Sequence, residues 1–314
     1  MPKIVILDGG TVYSDNISWH NLEKLGDVAY YESTPSDLVI SRIGNAEIIL
    51  TNKCVIDKNI IDSCRNLKYI TVLATGYNVV DVRYANLKNI QVSNVPDYCT
   101  NSVIQHTFAL LFELCSHVGS YNKSVHDMDW CHKSMFYYLL SPITELYGKT
   151  FGIIGYGNIG KRIANIVSEM GMNLLICSRT PSKNSVPLEY LLKNSDIVSL
   201  HCSLNENNKH LINENTLKLM KPTSYLINTA RGGLIDEKAL RYALDNNLIA
   251  GAALDVLSNE PPLMNNPLLG CKNCIITPHI AWATNESMMR LAMETEKNIS
   301  YYLRGVHRNP VFAK

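Results

Sequence analysis

The sequence lacks any apolar run approaching the roughly 20 residues that a helix needs to cross a bilayer, which excludes a helical membrane-spanning protein. Its start, Met1-Pro2-Lys3-Ile4-Val5-Ile6-Leu7-Asp8, has neither the long apolar stretch nor the small-residue cleavage site of a secretory signal, so the expected location is cytoplasmic. There is no excess of charge of either sign: 29 Lys and Arg stand against 28 Asp and Glu, a formal net charge of +1. Such a balance leaves no electrostatic footprint for nucleic acid or anionic lipid, and neither is expected as a partner. The pattern of a disulfide framework is also missing, because the nine cysteines are odd in number and scattered from Cys54 to Cys274. Cys271 and Cys274 form one C-x-x-C with no second pair and no histidine at ligand spacing. They read as reduced thiols, and no metal site is expected. Internal repeats and low-complexity linkers are absent as well.

What is present is an ordinary globular composition, 46% hydrophobic and 18% charged, over 314 residues. At roughly 150 residues per domain this length predicts two domains, each able to bury a core. Residues 3–7 form a short β-branched run closed by Asp8-Gly9-Gly10, the pattern of a strand buried on both faces and ended by a turn. Similar runs occupy 47–51, 69–73 and 90–95, with helical spacing between them, as at Ile60, Ile61, Cys64 and Leu67. The alternation predicts an α/β unit with a mostly parallel sheet. Over 102–118 the apolar residues nearly encircle a helix, which predicts one buried on all sides. After a less regular stretch at 120–147, strand candidates recur at 150–155, 173–178, 196–202, 224–230, 252–256 and 274–279, matching a doubly wound dinucleotide fold. Apolar spacing at Met288, Leu291, Ala292, Ile299 and Leu303 marks a long terminal helix over 284–304, with Thr284 as N-cap and Gly305 beyond its end. The expected plan is a discontinuous domain, 1–101 with 285–314, into which a dinucleotide domain, 102–284, is inserted.

The sharpest local signal is Gly155-Tyr156-Gly157-Asn158-Ile159-Gly160, which follows the strand candidate Phe151-Gly152-Ile153-Ile154 and opens a helix that Gly171 stops. In such a turn Gly155 permits the tight bend, Gly157 lets backbone approach a pyrophosphate, and Gly160 allows helix and strand to pack closely. The N–H groups near Asn158 and Ile159 then face the phosphates. Where an adenosine ribose is held by an acid, the next strand ends in Asp or Glu; here it ends in Ser178-Arg179-Thr180, with no carboxylate until Glu189. Without that carboxylate a 2′-phosphate is not repelled, and Arg179 can bind it in bidentate fashion. NADP(H) is therefore favoured, with NAD(H) possible; the plainer reading of Arg179 is a solvated loop arginine. Further on, Arg231 and His279 each directly follow a strand candidate, and Glu260 follows its own by a few residues. Strand ends of this kind are where doubly wound sheets bind ligands. Taken singly, Arg231 reads as an ion-pair donor, Glu260 as a solvated loop acid and His279 as a capping residue.

The chain resembles the D-isomer-specific 2-hydroxyacid dehydrogenases over nearly its whole length. The resemblance rests on Gly148-Lys149-Thr150, on Leu200-His201-Cys202-Ser203-Leu204-Asn205, on Asn228-Thr229-Ala230-Arg231-Gly232-Gly233, on Asp255 followed by Glu260, and on Thr277-Pro278-His279-Ile280-Ala281-Trp282. The stretch from Leu73 to Asp81 matches the family's substrate loop. The resemblance implies two doubly wound parallel-sheet domains, a Rossmann coenzyme domain inserted into a flavodoxin-like substrate domain. It implies that Arg231 grips a 2-oxoacid carboxylate and polarises the carbonyl. His279 would be the general acid as hydride reaches C2, and the general base in reverse. Glu260, on contact with the imidazole, would favour its protonated form. Asp255 would hold the nicotinamide carboxamide, His201, Cys202, Ser203, Thr229 and Ala230 would line the cofactor, and Thr75 and Gly76 would bind substrate from the smaller domain. The implied reaction is reversible reduction of hydroxypyruvate to D-glycerate, with glyoxylate as a second substrate and other 2-hydroxyacids such as D-lactate left open. The implied assembly is a homodimer; Trp130, Phe136, Tyr137 and Tyr138 are read either as its contact or as core.

Three departures from the family pattern stand out. Ser178-Arg179 replaces the usual Asp, Ser203 and Asn205 replace a Pro and a Thr after His201, and Gln105-His106 replaces an Ala-Glu-like pair for which the sequence offers no physical account. A reading of a different class, a dinucleotide-sensing corepressor-like binding protein, shares the architecture and the three site residues. Turnover of a 2-oxoacid separates the two.

Overall fold

Aliphatic runs without polar alternation become parallel strands covered on both faces. The computed structural model describes residues 1–12, 17, 19–179 and 184–312. Its contacts divide the chain into two units, Met1–Cys99 with Ala283–Lys314, and Thr100–Trp282.

The first unit holds β1 (Lys3–Ile6), β2 (Asp27–Tyr30), β3 (Ile48–Thr51), β4 (Tyr69–Val72) and β5 (Gln91–Ser93), with helices α1 (His20–Glu23), α2 (Val39–Ile43), α3 (Lys58–Ser63) and α4 (Val82–Leu87). All its strand pairs are parallel, in the order β2-β1-β3-β4-β5. That is the flavodoxin-like arrangement. Every residue of β3 and β4 is buried. Burial of each large aliphatic side chain there stabilises the unit by roughly 1.5–3 kcal/mol. Strand β2 was not among the sequence-predicted strands. It lies at the sheet edge, is exposed at both ends, and its Asp-Val-Ala-Tyr sequence carries a single β-branched residue. The terminal helix, Asn285–Leu303, packs within this unit: Tyr302 stacks on Tyr69 with ring centroids 4.2 Å apart, and Asn298 Nδ2 donates to Asn94 O at 3.0 Å. Thr284 caps it, its hydroxyl accepting from Ser287 N at 3.2 Å, and Gly305 leaves it at φ +77°.

The second unit contains β6 (Thr150–Ile154), β7 (Asn173–Cys177), β8 (Ile197–Leu200), β9 (Tyr225–Asn228), β10 (Gly251–Leu254) and β11 (Cys274–Ile276). Its helices are α5 (Thr100–Ser116), α6 (Val118–His126), α7 (Asn158–Glu169), α8 (Leu188–Asn194), α9 (Glu214–Leu217) and α10 (Glu237–Asp245). The sheet is parallel throughout, in the order β11-β10-β9-β8-β6-β7. Beyond β7 a parallel bridge between Ile176 and Ser185 adds the rudiment of a further strand, which completes the doubly wound order on that side. Two cores cover the sheet. Phe151 and Ile153 pack with Ile104 and Leu111 of α5 and Ile163 of α7 on one face. Ile154 and Leu200 pack with Leu191 of α8 and Leu240 of α10 on the other.

Two sequence expectations are corrected here. The helix drawn over 102–118 ends at Ser116, because His117 adopts φ +52° and α6 begins at Val118. It is also not buried all round, since Phe112 and Val118 are exposed. The strands of this unit end one to three residues before the predicted points. The residues beyond, Gly155, Ser178, Cys202, Ala230, Val256 and His279 among them, have left the ladder and form the loops at its C-terminal edge.

Candidate active site

Three successive strands of the second unit, β9, β10 and β11, deliver one ionisable side chain each to a pocket of about 210 Å³. Arg231, Glu260 and His279 line it with Leu204, Gly232, Gly233, Leu257 and Ser258. Arg231 is aimed by its own backbone environment. Asn228, fully buried at the end of β9, accepts from Ala230 N at 3.0 Å and donates to Arg231 O at 2.9 Å, while Arg231 Nη1 donates to Ala230 O at 2.7 Å. Gly232 is obligatory for this approach, because a Cβ there would lie 2.0 Å from the carbonyl carbon of Leu257.

Glu260 sits in the loop after β10. Its Oε1 accepts from Leu257 N at 3.0 Å and its Oε2 lies 2.6 Å from His279 Nδ1. The loop is held from α10 by Glu237, which accepts from Ser258 N at 2.6 Å and Asn266 Nδ2 at 2.8 Å. An ionised carboxylate only accepts, so the hydrogen on the imidazole belongs to Nδ1 and the proton-exchanging nitrogen is Nε2.

His279 occupies a turn at φ +55°, a left-handed conformation that non-glycine residues seldom adopt. Asp255 holds that turn together. Its backbone carbonyl accepts from His279 N at 2.8 Å, its Oδ1 from Thr277 Oγ1 at 2.6 Å and Ile280 N at 2.9 Å, and its Oδ2 from Ala281 N at 2.9 Å. Burial alone would raise the pKa of this carboxyl; the hydrogen bonds from His106, Thr277, Ala281 and Ile280 outweigh it and hold the group below the ordinary carboxylate range. At 1% exposure Asp255 is a scaffold for the turn, with at most one acceptor direction left on Oδ2.

The dinucleotide residues read from the sequence come to the same sheet edge. Gly155 bends at φ +100°, and a Cβ there would press on the backbone of His201 and Cys202 at 2.6 Å. A Cβ on Gly160 would lie 2.3 Å from Gly155 O, so helix α7 and the turn are in the closest contact a glycine allows. Around Gly157, by contrast, an added Cβ meets nothing within 4 Å, and as N-cap of α7 it offers no side chain to the first N–H groups of Asn158 and Ile159. That open cradle at a helix start fits a pyrophosphate. Ser178 is half-buried and Arg179 exposed at the end of β7, while Thr180 lies outside the described residues. His201 accepts or donates through Nε2 to Ser199 Oγ at 2.8 Å, and burial pushes its pKa down to about 3, so the ring is neutral. Ser203 is exposed, and Asn205 caps the short turn that follows it, accepting from Asn207 N at 2.9 Å. Thr229 is buried beside half-buried Ala230.

Thr75 and Gly76 belong to the first unit, in the loop after β4, where Thr75 Oγ1 donates to Val95 O at 3.0 Å and Asn94 Nδ2 donates to Thr75 O at 2.7 Å. Burial pushes the Cys274 thiol up to about 12, as suits an inert reduced thiol. Among the described residues no group of three or more His, Cys, Asp or Glu is placed to hold a metal ion, and no helix is long and apolar enough to cross a membrane. Sequence reading passed over Glu237 and gave no role to Asn228 or to the flagged His106, whose partners become visible only in three dimensions.

Comparison with known proteins matches residues 108–281 to the family described as D-isomer specific 2-hydroxyacid dehydrogenase, NAD binding domain. The chain is 42% identical to hydroxypyruvate reductase of Blautia hydrogenotrophica, over 98% of this chain and 99% of that one. It is 40% identical to glycerate dehydrogenase of Methylorubrum extorquens, over 90% and 91% of the two chains. Among solved structures it superposes on the NADPH-dependent glyoxylate/hydroxypyruvate reductase of Sinorhizobium meliloti, in complex with NADP and malonate, with a TM-score of 0.85 at 26% identity, covering 99% and 96% of the two chains.

Proposed function

The chain belongs to the D-isomer specific 2-hydroxyacid dehydrogenase family, and from that premise we propose that it reduces hydroxypyruvate to D-glycerate, with glyoxylate as a second substrate. As a family member it is an NAD(P)-dependent oxidoreductase acting on 2-hydroxyacids. The observation that carries the proposed chemistry is the 2.6 Å contact between His279 and Glu260 in the pocket that Arg231 lines.

Arg231 binds the oxoacid carboxylate through its planar fork and orients the carbonyl. When bound, the reduced nicotinamide supplies the hydride. His279 moves its Nε2 proton to the carbonyl oxygen, so the negative charge that develops there is neutralised as it forms. Glu260 fixes the orientation and tautomer of the ring through Nδ1. In oxidation the same nitrogen takes the proton back. Thr75 and Gly76 are assigned to substrate binding by the family pattern, and Asp255 to the nicotinamide carboxamide through its remaining acceptor direction.

NADP(H) is the favoured cofactor, because no carboxylate ends β7 and Arg179 is exposed there. The proposed assembly is a homodimer. The segment after α6 leaves Phe136 92%, Tyr147 76% and Met135 63% exposed, an apolar surface of the kind subunits cover. Light scattering of the purified protein should give twice the 35.2 kDa chain mass; the single-chain mass would overturn this. Steady-state turnover across hydroxypyruvate, glyoxylate and pyruvate with NADPH and NADH tests the function. Hydroxypyruvate with NADPH should give the highest kcat/KM, and a preparation that oxidises neither cofactor with any of them is not this enzyme.

A further inference from the structure

Helix α5 carries a histidine whose ring points at the turn holding His279. His106 Nε2 lies 3.0 Å from Thr277 Oγ1 and 3.4 Å from Asp255 Oδ1. Thr277 Oγ1 is in turn 2.6 Å from Asp255 Oδ1. Asp255 is ionised and can only accept, so the one hydroxyl hydrogen of Thr277 goes to the carboxylate. The hydroxyl oxygen must then receive, and the donor within reach is His106, which fixes the ring hydrogen on Nε2. The next residue repeats the arrangement. Thr107 Oγ1 donates to Val103 O at 2.8 Å and therefore accepts from Thr229 Oγ1 at 3.2 Å. Two consecutive residues of one helix thus tie the end of β9, two residues before Arg231, and the ends of β10 and β11, two residues before His279.

We propose that His106 is a positioning residue of the reaction: by donating from Nε2 to Thr277, and through it to Asp255, it holds the 277–281 turn that presents His279 to Glu260. The left-handed backbone of His279 is disfavoured on its own. Its persistence depends on the ties that Asp255 makes, and His106 orients the acceptor and the hydroxyl that make them. The inference rests on the role of His279 proposed above.

The test uses the full chain with NADPH and hydroxypyruvate. His106→Leu should lower kcat about tenfold, a loss of the size that a slight misplacement of a catalytic group causes, while dinucleotide Kd changes less than about twofold. His106→Gln, whose amide N–H reaches to a similar point, should recover most of the rate. His106→Leu combined with Thr277→Val should be no slower than the slower single variant, because both remove one link. A leucine variant with wild-type kcat, equal losses in the leucine and glutamine variants, or losses that multiply in the double variant would overturn the proposal. If the leucine variant does not fold, Thr277→Val against Thr277→Ser makes the same comparison at the other end of the link. Imidazole nitrogen NMR reads the tether without turnover: Nε2 of His106 should carry the hydrogen, and a bare Nε2 refutes the link. An inactive wild-type protein with that hydrogen in place would sink the proposed function instead.

Discussion

Because Glu260 holds Nδ1 of His279, proton exchange falls to Nε2 alone. His279→Ala should therefore lower kcat by about 100- to 10,000-fold, the usual range for a positioned general acid, with dinucleotide Kd unchanged. Stopped-flow reduction and fluorescence titration check the two halves, and an unaltered kcat rejects the acid role. Arg179 tests cofactor choice at the same scale. If its guanidinium meets a 2′-phosphate, Arg179→Ala should weaken NADPH by about tenfold or more and leave NADH nearly untouched, since a charge-assisted hydrogen bond contributes about 1.5–3 kcal/mol. Equal losses for both would count against it. The pairing of Glu260 with His279 came from the family resemblance, because nothing local joins residues 19 positions apart; His106 stood out as a departure and Thr277 as part of a motif, but across 171 positions nothing linked the two.

At the level of elements, the glycine turn between β6 and α7 separates packing from binding. Gly160→Ala puts a methyl group 2.3 Å from a backbone oxygen and should destabilise the fold by about 1–3 kcal/mol, visible as a lowered Tm. Gly157→Ala meets no atom within 4 Å and should leave Tm in place while weakening dinucleotide binding, because the methyl group fills the cradle. A Gly157→Ala protein that binds normally would show that phosphates lie elsewhere. The four inner strands of this unit were legible in the sequence because they are buried on both faces and read as largely apolar runs, and the half-exposed edge strands β7 and β11 kept aliphatic runs of their own. Strand β2 was hidden by its place at an edge, where one pairing and partial exposure demand little of the side chains. The break between α5 and α6 was hidden too, since the left-handed residue that makes it, at φ +52°, is His117 rather than a glycine.

Across the whole molecule, half-buried His201 couples folding to acidity. The ring titrates near 6.5 when unperturbed and near 3 in the fold, so between those values the unfolded chain binds a proton that the native chain does not. Its contribution is complete above about pH 6.5 and is lost progressively as pH falls toward 3, at up to about 1.4 kcal/mol per pH unit. Urea titrations across that window should show a shallower slope in His201→Gln; an identical slope would mean the ring is solvated. The order of the second sheet has an effect in time as well. On one side of β6 the strands β8, β9, β10 and β11 lie outward in the sequence in which a ribosome releases them, with β7 on the other side, and the edge strand β11 comes last. A nascent chain therefore acquires the glycine turn of residues 155–160 more than a hundred residues before it acquires the imidazole of His279, so the two halves of the proposed site are made at widely separated times.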